Sequence, residues 1–237
     1  MSMYNSIYSS RYASAGRNSA YVSEEMEYAQ VKEKLCFRVV NCEHNLQILE
    51  KLPHIRLEDL AAVFMYMPVP CGDARLASSG QKEGDETSAR LICWHDMERW
   101  DISVDQIEKD TKRSTGRMHP AFFAPLRQIL GLQGDPEEGE IPMYILSCID
   151  ARFGASVLVY PNVIPRLAER LEDSLCIIPS SVHELIILRA RDVDDVQGLI
   201  RMIEDVNRTE VSPGEVLSDS LYYYRLGGSG ITRIPKL

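Results

Sequence analysis

The sequence lacks the cysteine spacing of a disulfide-stapled or zinc-knuckle protein. It contains six cysteines in 237 residues, and no two of them form a C-x-x-C pair. They are Cys36, Cys42, Cys71, Cys93, Cys148 and Cys176. Those inside apolar runs behave as small hydrophobic side chains. This usage is typical of a reducing compartment, so we expect a cytoplasmic protein without a disulfide framework.

A hydrophobic run long enough to cross a bilayer is also missing. The longest one, Leu60–Pro70, is about half the length of a membrane span. No apolar stretch follows Met1 as it does in a secretory signal peptide. Residues 1–22 are rich in serine and tyrosine and contain no acid, which predicts a disordered tail. We therefore expect neither membrane association nor secretion.

Positive charge is scarce. The chain has 26 basic and 35 acidic residues, and its net charge is −9. Nucleic-acid binding depends on clustered lysine and arginine, so direct binding is not expected. The sequence also has no Walker loop, no G-x-G-x-x-G and no H-E-x-x-H motif, each of which would indicate a specific cofactor or metal. We predict no cofactor.

Two C-x-H pairs deserve a test as zinc ligands, because thiolate and imidazole are good ligands for that ion. They are Cys42 with His44 and Cys93 with His95. Their spacing differs from that of the usual zinc knuckle. We therefore predict no metal site.

The segments that are present predict an α+β protein with two lobes. We place the lobes at residues 23–133 and 141–226, between tails at 1–22 and 227–237. Residues 134–140 (GDPEEGE) offer nothing apolar to bury, so we interpret them as an acidic linker. Each lobe should hold a small, mostly antiparallel or mixed sheet with packed helices.

In the N-terminal lobe, Leu35–Val40 is typical of a strand. Leu60–Met67 is typical of a buried strand, and a helix is also possible there because periodicity does not decide over so few residues. Residues 69–89 predict a long loop. Ser103 begins a capping-box pattern that opens a helix. Pro120 and Gly131 fit the first turn and the end of another helix.

In the C-terminal lobe, we predict the order β-β-α-β-β-α-α-β. The predicted strands are Met143–Cys148, Ala155–Tyr160, Leu175–Ile178, Glu184–Leu188 and Leu221–Leu226. The first two should form a hairpin that turns at Asp150–Gly154. An apolar stripe predicts a helix over 164–171. Asp192 should cap a second helix and Ser212 a third.

The best candidate site is Pro179-Ser180-Ser181-Val182-His183-Glu184. Ser181 and His183 are two residues apart, so on an extended chain they project to the same face. With an acid behind them they could form a nucleophile and a base. No strand–helix elbow or oxyanion-hole glycine motif accompanies them. A serine-lined turn with His183 bonded to the backbone explains the same residues, so we predict no catalytic residues.

Several stretches, taken in order, resemble one uncharacterised family, a domain of unknown function common in gut Clostridia. They include Phe37–Asn41, Pro142–Leu146, Phe153–Ala155, Ile178–Glu184 and, with Asn207, Glu215–Asp219. The resemblance covers about residues 24–226. The resemblance implies no activity. It implies a link to mobile-element biology only because family members often occur in mobile-element contexts. The candidate binding residues are Ser180, Ser181, His183, Glu184, Asn207 and Asp219.

These observations favour a non-enzymatic protein-interaction module linked to mobile-element or defence biology. Its partner would be another protein. Two alternatives remain open. One is a hydrolase-like or ligand-sensing enzyme that uses Ser180, Ser181 and His183. The other is an acidic inhibitor of a nucleic-acid-binding defence protein, which the net charge of −9 would suit.

Overall fold

Apolar runs in the N-terminal half build an antiparallel sheet in the computed structural model, which describes residues 26–68, 89–132, 139–149 and 151–237. Its strand order is β1-β3-β2, and β4 also pairs with β3. The strands are β1 (Leu35–Asn41), β2 (His54–Leu57), β3 (Leu60–Tyr66) and β4 (Arg90–Leu91). Every residue of β3 is buried, because the sheet is covered on both faces. The predicted strands at 35–40 and 60–67 are confirmed.

Helices pack against this sheet. They are α1 (Tyr28–Val31), α2 (Leu46–Leu49), α3 (Trp94–Trp100) and α4 (Val104–Met118), with short 3-10 helices at Lys32–Lys34 and Glu43–Asn45. Ser103 caps α4, since its hydroxyl accepts a hydrogen bond from the Gln106 N–H at 3.2 Å. That predicted helix start is confirmed. The Ser114 hydroxyl of α4 donates to the Leu35 carbonyl at 2.6 Å and so fixes the helix to β1.

A larger antiparallel sheet follows, with the strand order β10-β9-β7-β8-β6-β5. Its strands are β5 (Ala121–Pro125), β6 (Met143–Cys148), β7 (Leu175–Ser181), β8 (Glu184–Arg189), β9 (Tyr222–Tyr224) and β10 (Ile231–Arg233). The predicted strands at 143–148, 175–178 and 184–188 are confirmed. So is the fold class: α+β with two antiparallel sheets in two sheet-bearing regions.

Two predicted elements have a different structure. The helix expected from Pro120 is wrong over Ala121–Pro125, which pairs with β6, and only α5 (Leu126–Ile129) is helical. The strand expected at Ala155–Tyr160 is a 3-10 helix, Gly154–Val159, that is buried almost throughout. A short apolar run buried on all sides has no periodicity that separates strand from helix. The expected hairpin is therefore absent from the described residues, and its turn residue Asp150 lies outside them.

The helices of the larger sheet are α6 (Val163–Leu171) and α7 (Val196–Thr209), with a 3-10 helix at Ala190–Asp192. The apolar stripe of α6 is buried as predicted. Asp195, rather than Asp192, caps α7 by accepting the Gly198 N–H at 2.7 Å, because Asp192 pairs with Arg189. The helix predicted after Ser212 is not formed, since residues 213–215 make a turn. The described order over 141–226 is therefore β, 3-10, α, β, β, 3-10, α, β.

The two sheets share one hydrophobic core. Phe37 and Phe64 from the smaller sheet cluster with Ile177 and Leu185 from the larger, and Val157 of the 3-10 helix lies among them. The predicted linker falls mostly outside the described residues, as do the tail at 1–22 and most of the loop at 69–89. Strands β5 and β6, on either side of the linker, pair directly.

Beyond the predicted C-terminal boundary at 226, strand β10 pairs with β9, so residues 227–237 include part of the larger sheet. The division into two lobes with tails stays a prediction. Among the helices that the structure describes, none is long and apolar enough to cross a bilayer.

Candidate functional site

The turn between β7 and β8 holds the predicted Ser–His motif. The Ser181 hydroxyl accepts a hydrogen bond from the main-chain N–H of His183 at 3.0 Å. The Val182 N–H donates to the Glu215 carbonyl at 2.9 Å. The turn is thus fastened by its own serine and by the segment before β9. Ser180 is half-buried in β7 beside a register shift between Ile178 and Ser181.

The His183 imidazole faces a neighbouring loop. Its Nδ1 lies 3.2 Å from the Ala151 carbonyl oxygen and 3.3 Å from the Phe153 nitrogen, and its Nε2 lies 3.7 Å from Glu215 Oε1. Burial lowers the pKa of His183, and Arg38 and Arg152 lower it further, while Glu215 opposes them. A largely neutral imidazole therefore holds the loop, as the alternative interpretation of this motif predicts.

That loop, residues 151–154, has a strained backbone. Ala151 and Phe153 have φ of +57° and +55°, a region that side chains other than glycine and asparagine rarely adopt. Gly154 is packed so closely that an added Cβ would lie 2.0 Å from Ser147 Oγ and 2.4 Å from the His183 carbonyl oxygen. Strain of this kind persists only where the surroundings enforce it, and it is often found at functional sites.

Arg38, on β1, stacks on the Phe153 ring, with its Cζ 4.2 Å from the ring centroid. Its Nε is buried and has no hydrogen-bond partner within the described ranges. Burial lowers the pKa of Arg38, and the nearby Arg152 adds to this effect. Arg38 is the one charged residue in the apolar strand LCFRVV. That signal could have indicated it, but it is not among the predicted site residues.

Glu184 follows His183 in the chain and lines a cavity of about 90 Å³. Phe122, Ile129, Ile145, Ser147, Cys148, Ile149 and Ala151 line the rest. Burial raises the pKa of Glu184 to about 7. Within the described part of the chain, its carboxyl group makes no hydrogen bond or ion pair. A carboxyl group without a partner on an apolar cavity is a candidate for ligand contact.

Phe122 of β5 forms part of the cavity wall, and the outer edge of β5 is an edge of the larger sheet. No described strand pairs with that edge. Phe122, Ile129 and Ile149 are large apolar residues with 37%, 39% and 59% of their surface exposed. The three line the same cavity, so they form one patch rather than isolated exposed residues. We call this surface, formed by the β5 edge, Phe122, Ile129 and Ile149, the β5 patch.

A second, larger cavity of about 480 Å³ lies between the β2–β3 turn and the segment before β9. Asp59 is its central carboxylate. It accepts hydrogen bonds from Ser218 Oγ at 2.6 Å, Ser220 Oγ at 3.1 Å and the Tyr222 hydroxyl at 2.6 Å. Burial alone would raise the pKa of Asp59, but these donors outweigh it and the pKa is lowered.

Two predicted residues belong to this second cavity. Asp219 lines it, and Asn207 supports it from α7 by donating to Asp219 Oδ1 at 2.8 Å and to the Ser218 carbonyl at 3.1 Å. The six predicted residues therefore fall into separate places and do not form one site. Asp59 was missed because an acid in a polar turn carries no signal in the sequence.

The zinc ligands that we considered have different surroundings. Cys42 and His44 line the larger cavity, whereas the Cys93 thiol donates to Asp96 at 3.0 Å. Across the described ranges, no group of three or more histidine, cysteine or acidic side chains is arranged to hold a metal ion.

The order of these motifs along the chain matches a known family over almost the whole sequence. The chain belongs to a family of unknown function (DUF5688). The match covers residues 2–226, so it begins earlier than the resemblance at 24–226. No curated protein and no solved structure is detectably similar to this DUF5688 member.

Proposed function

We propose that this protein is a non-enzymatic interaction module that binds another protein along the β5 patch. The observation that carries the proposal is the exposure of Phe122, Ile129 and Ile149 beside a strand edge with which no described strand pairs. Contiguous exposed apolar side chains mark interaction surfaces. An open edge offers backbone N–H and C=O groups to an extended segment of a partner. A segment added to β5 would cover both features at once.

The geometry gives less support to the hydrolase alternative. A serine nucleophile needs a base within hydrogen-bond reach of its hydroxyl. The Ser181 hydroxyl instead accepts a main-chain N–H, and the His183 ring lies against Ala151 and Phe153. An interaction module needs no such pair, and both residues then serve to hold the turn and the loop.

The cysteines support a cytoplasmic site of action. Cys42, Cys93 and Cys176 are thiols, which persist in a reducing compartment. The link to mobile-element or defence biology and the acidic-inhibitor alternative rest on family context and on the net charge of −9. The β5 patch favours the interaction module over both.

Selection from a phage-displayed library of random, strand-length peptides tests the proposal. Wild type should enrich extended peptides with alternating apolar residues. Phe122→Lys should not enrich these peptides, because the substitution places a charge in the β5 patch. Ile48→Lys is the matched control, since Ile48 is 50% exposed on α2, in the smaller sheet's region. Equal enrichment by Phe122→Lys and wild type, with both proteins folded, would contradict the proposal.

A further inference from the structure

We propose that the cavity beside the β5 patch takes an alkylammonium group, as on a lysine side chain, with the charge placed on Glu184. The inference deepens the proposed function, because it assigns the partner segment a basic side chain. It rests on three observations: the row of residues across the sheet, the lining of the cavity, and a carboxyl group at its end that has no partner among the described residues.

Residues of three strands lie in one row. Phe122 of β5 pairs with Ser147 of β6. The register that pairs Leu146 with Leu185 brings Ser147 next to Glu184 of β8. Cross-strand neighbours project to the same face, and all three residues line the cavity. A segment added outside β5 would continue this row on the side away from Glu184.

Distance selects a long side chain. Neighbouring strands lie about 4.8 Å apart, so an added strand would lie about 14 Å from β8. Short side chains cannot bridge that gap, whereas lysine and glutamate extending towards each other nearly span it. Phe122 and Ser147 lie between them in the row, so the lysine stem would run along the Phe122 ring, and the small Ser147 leaves the space that the cavity occupies. One water molecule needs about 10–15 Å³ of such space, so about 90 Å³ accommodates a four-carbon stem and its ammonium group.

The lining matches both parts of such a ligand. Ile129, Ile145 and Ile149 offer apolar walls to the methylene stem. Glu184 is the one carboxyl group among the described lining residues. A cation would supply the partner that Glu184 lacks in the described part of the chain, whereas an anion would be repelled and a neutral group would leave the carboxylate unpaired.

Methyl NMR on isoleucine-labelled protein tests the inference with n-butylammonium as the probe and n-butanol as the uncharged control. Butylammonium should shift the Ile129, Ile145 and Ile149 methyl signals of wild type saturably, with at least about tenfold higher affinity than butanol, a ratio within reach of one charge-assisted contact. Glu184→Gln should abolish the preference. Glu169→Gln, an exposed acid on α6, should retain it.

Acidity provides a second readout. Affinity for butylammonium should fall at least about tenfold between about pH 8.5 and about pH 5.5, as Glu184 becomes protonated. Of the other titratable groups nearby, Cys148 lines the cavity, His183 turns its ring towards Ala151, and Arg127 of α5 pairs with Glu140. Glu184→Gln keeps all of these groups, so its affinity for butylammonium should show no such fall.

Butanol binding as tightly as butylammonium, or a preference that survives in Glu184→Gln, would overturn the inference. Those results would leave the proposed function intact if Phe122→Lys still fails to enrich the extended peptides that wild type enriches. Conversely, an alkylammonium preference without any peptide selection by wild type would count against the interaction module alone.

Discussion

Arg38 and Glu184 are half-buried charges for which the described part of the fold provides no opposite charge. Arg38 has a buried Nε without a partner, and Glu184 lies on an apolar cavity. Desolvation disfavours the charged form of both groups, so it lowers the pKa of Arg38 and raises that of Glu184. Each side chain should therefore reduce stability in the isolated protein.

Glu184→Gln should raise stability in a pH-dependent way. The folded-state pKa is about 7, above the unfolded value of about 4.3. The protonated Glu184 side chain therefore makes its full contribution to the free energy of unfolding below about pH 4.3. That contribution is lost as the pH rises through about 7. The variant should match wild type near pH 4 and exceed it by about 3–4 kcal/mol at pH 8, because each pKa unit between about 4.3 and about 7 corresponds to about 1.4 kcal/mol; urea unfolding measures the difference. The Glu169→Gln control should show no such pH-dependent gain in stability. The same gain in the control would contradict the assignment of the effect to Glu184.

Arg38→Met should leave stability unchanged or raise it by about 1 kcal/mol, because it removes a poorly solvated charge and keeps an unbranched side chain over Phe153. Thermal and urea unfolding measure the change. Arg225→Met, at an exposed arginine, controls for the loss of net charge. A loss of more than about 1 kcal/mol at Arg38 alone would mean that stacking on Phe153 outweighs the cost of burial.

At the level of elements, sequence patterns predicted buried strands and helix faces better than helix caps, since Asp195 rather than Asp192 caps α7 and no helix follows Ser212. The apolar strand β3 and the stripe of α6 are where they were expected, as is the start of α4 at Ser103. Pairing with β6 decides the structure of Ala121–Pro125, and the local sequence carries no signal of that pairing. Prediction of the candidate site is limited in the same way. His183 and Glu184 were selected as neighbours, but the alternation of the chain places their side chains in different environments.

Gly154→Ala should cost more than about 2 kcal/mol, because the new methyl group would overlap Ser147 Oγ and the main chain of His183 and Cys148. Gly116→Ala is the matched control. Gly116 lies inside α4 with no atom within 4 Å of an added Cβ. That change should stabilise the protein by about 0.5–1 kcal/mol. Urea unfolding of both variants measures the difference, and equal effects would refute the tight packing of the 151–154 loop.

Across the whole molecule, Asp59 joins the two sheets. It lies in the β2–β3 turn of the smaller sheet and accepts hydrogen bonds from Ser218, Ser220 and Tyr222 at the entry to β9 of the larger sheet. Nearby, the Asn41 side chain donates to the Leu217 carbonyl at 3.0 Å. With the shared core, these bonds make both sheets contribute to one folded structure.

Asp59→Asn should cost about 2 kcal/mol at pH 7, since hydrogen bonds to a charged group are worth about 1.5–3 kcal/mol. The lowered pKa of Asp59 means that its contribution is present above the unfolded value of about 3.9 and is lost as the pH falls through the folded value. The gap between variant and wild type should therefore narrow below about pH 4. Urea unfolding from pH 7 to pH 2.5 measures it, with Asp194→Asn, an exposed acid, as the control. A constant gap would contradict this role.

The position of these donors along the chain has a consequence for biosynthesis. Asp59 and Ser218 are 159 residues apart in sequence, so a ribosome makes the carboxylate long before the hydroxyls that stabilise it. Until β9 emerges, the edge of β7 that pairs with it is also uncovered. Nascent chains should therefore gain protease resistance late, when the Tyr222–Tyr224 strand leaves the exit tunnel. Before that point, binding by a chaperone at the uncovered β7 edge would protect the chain from aggregation.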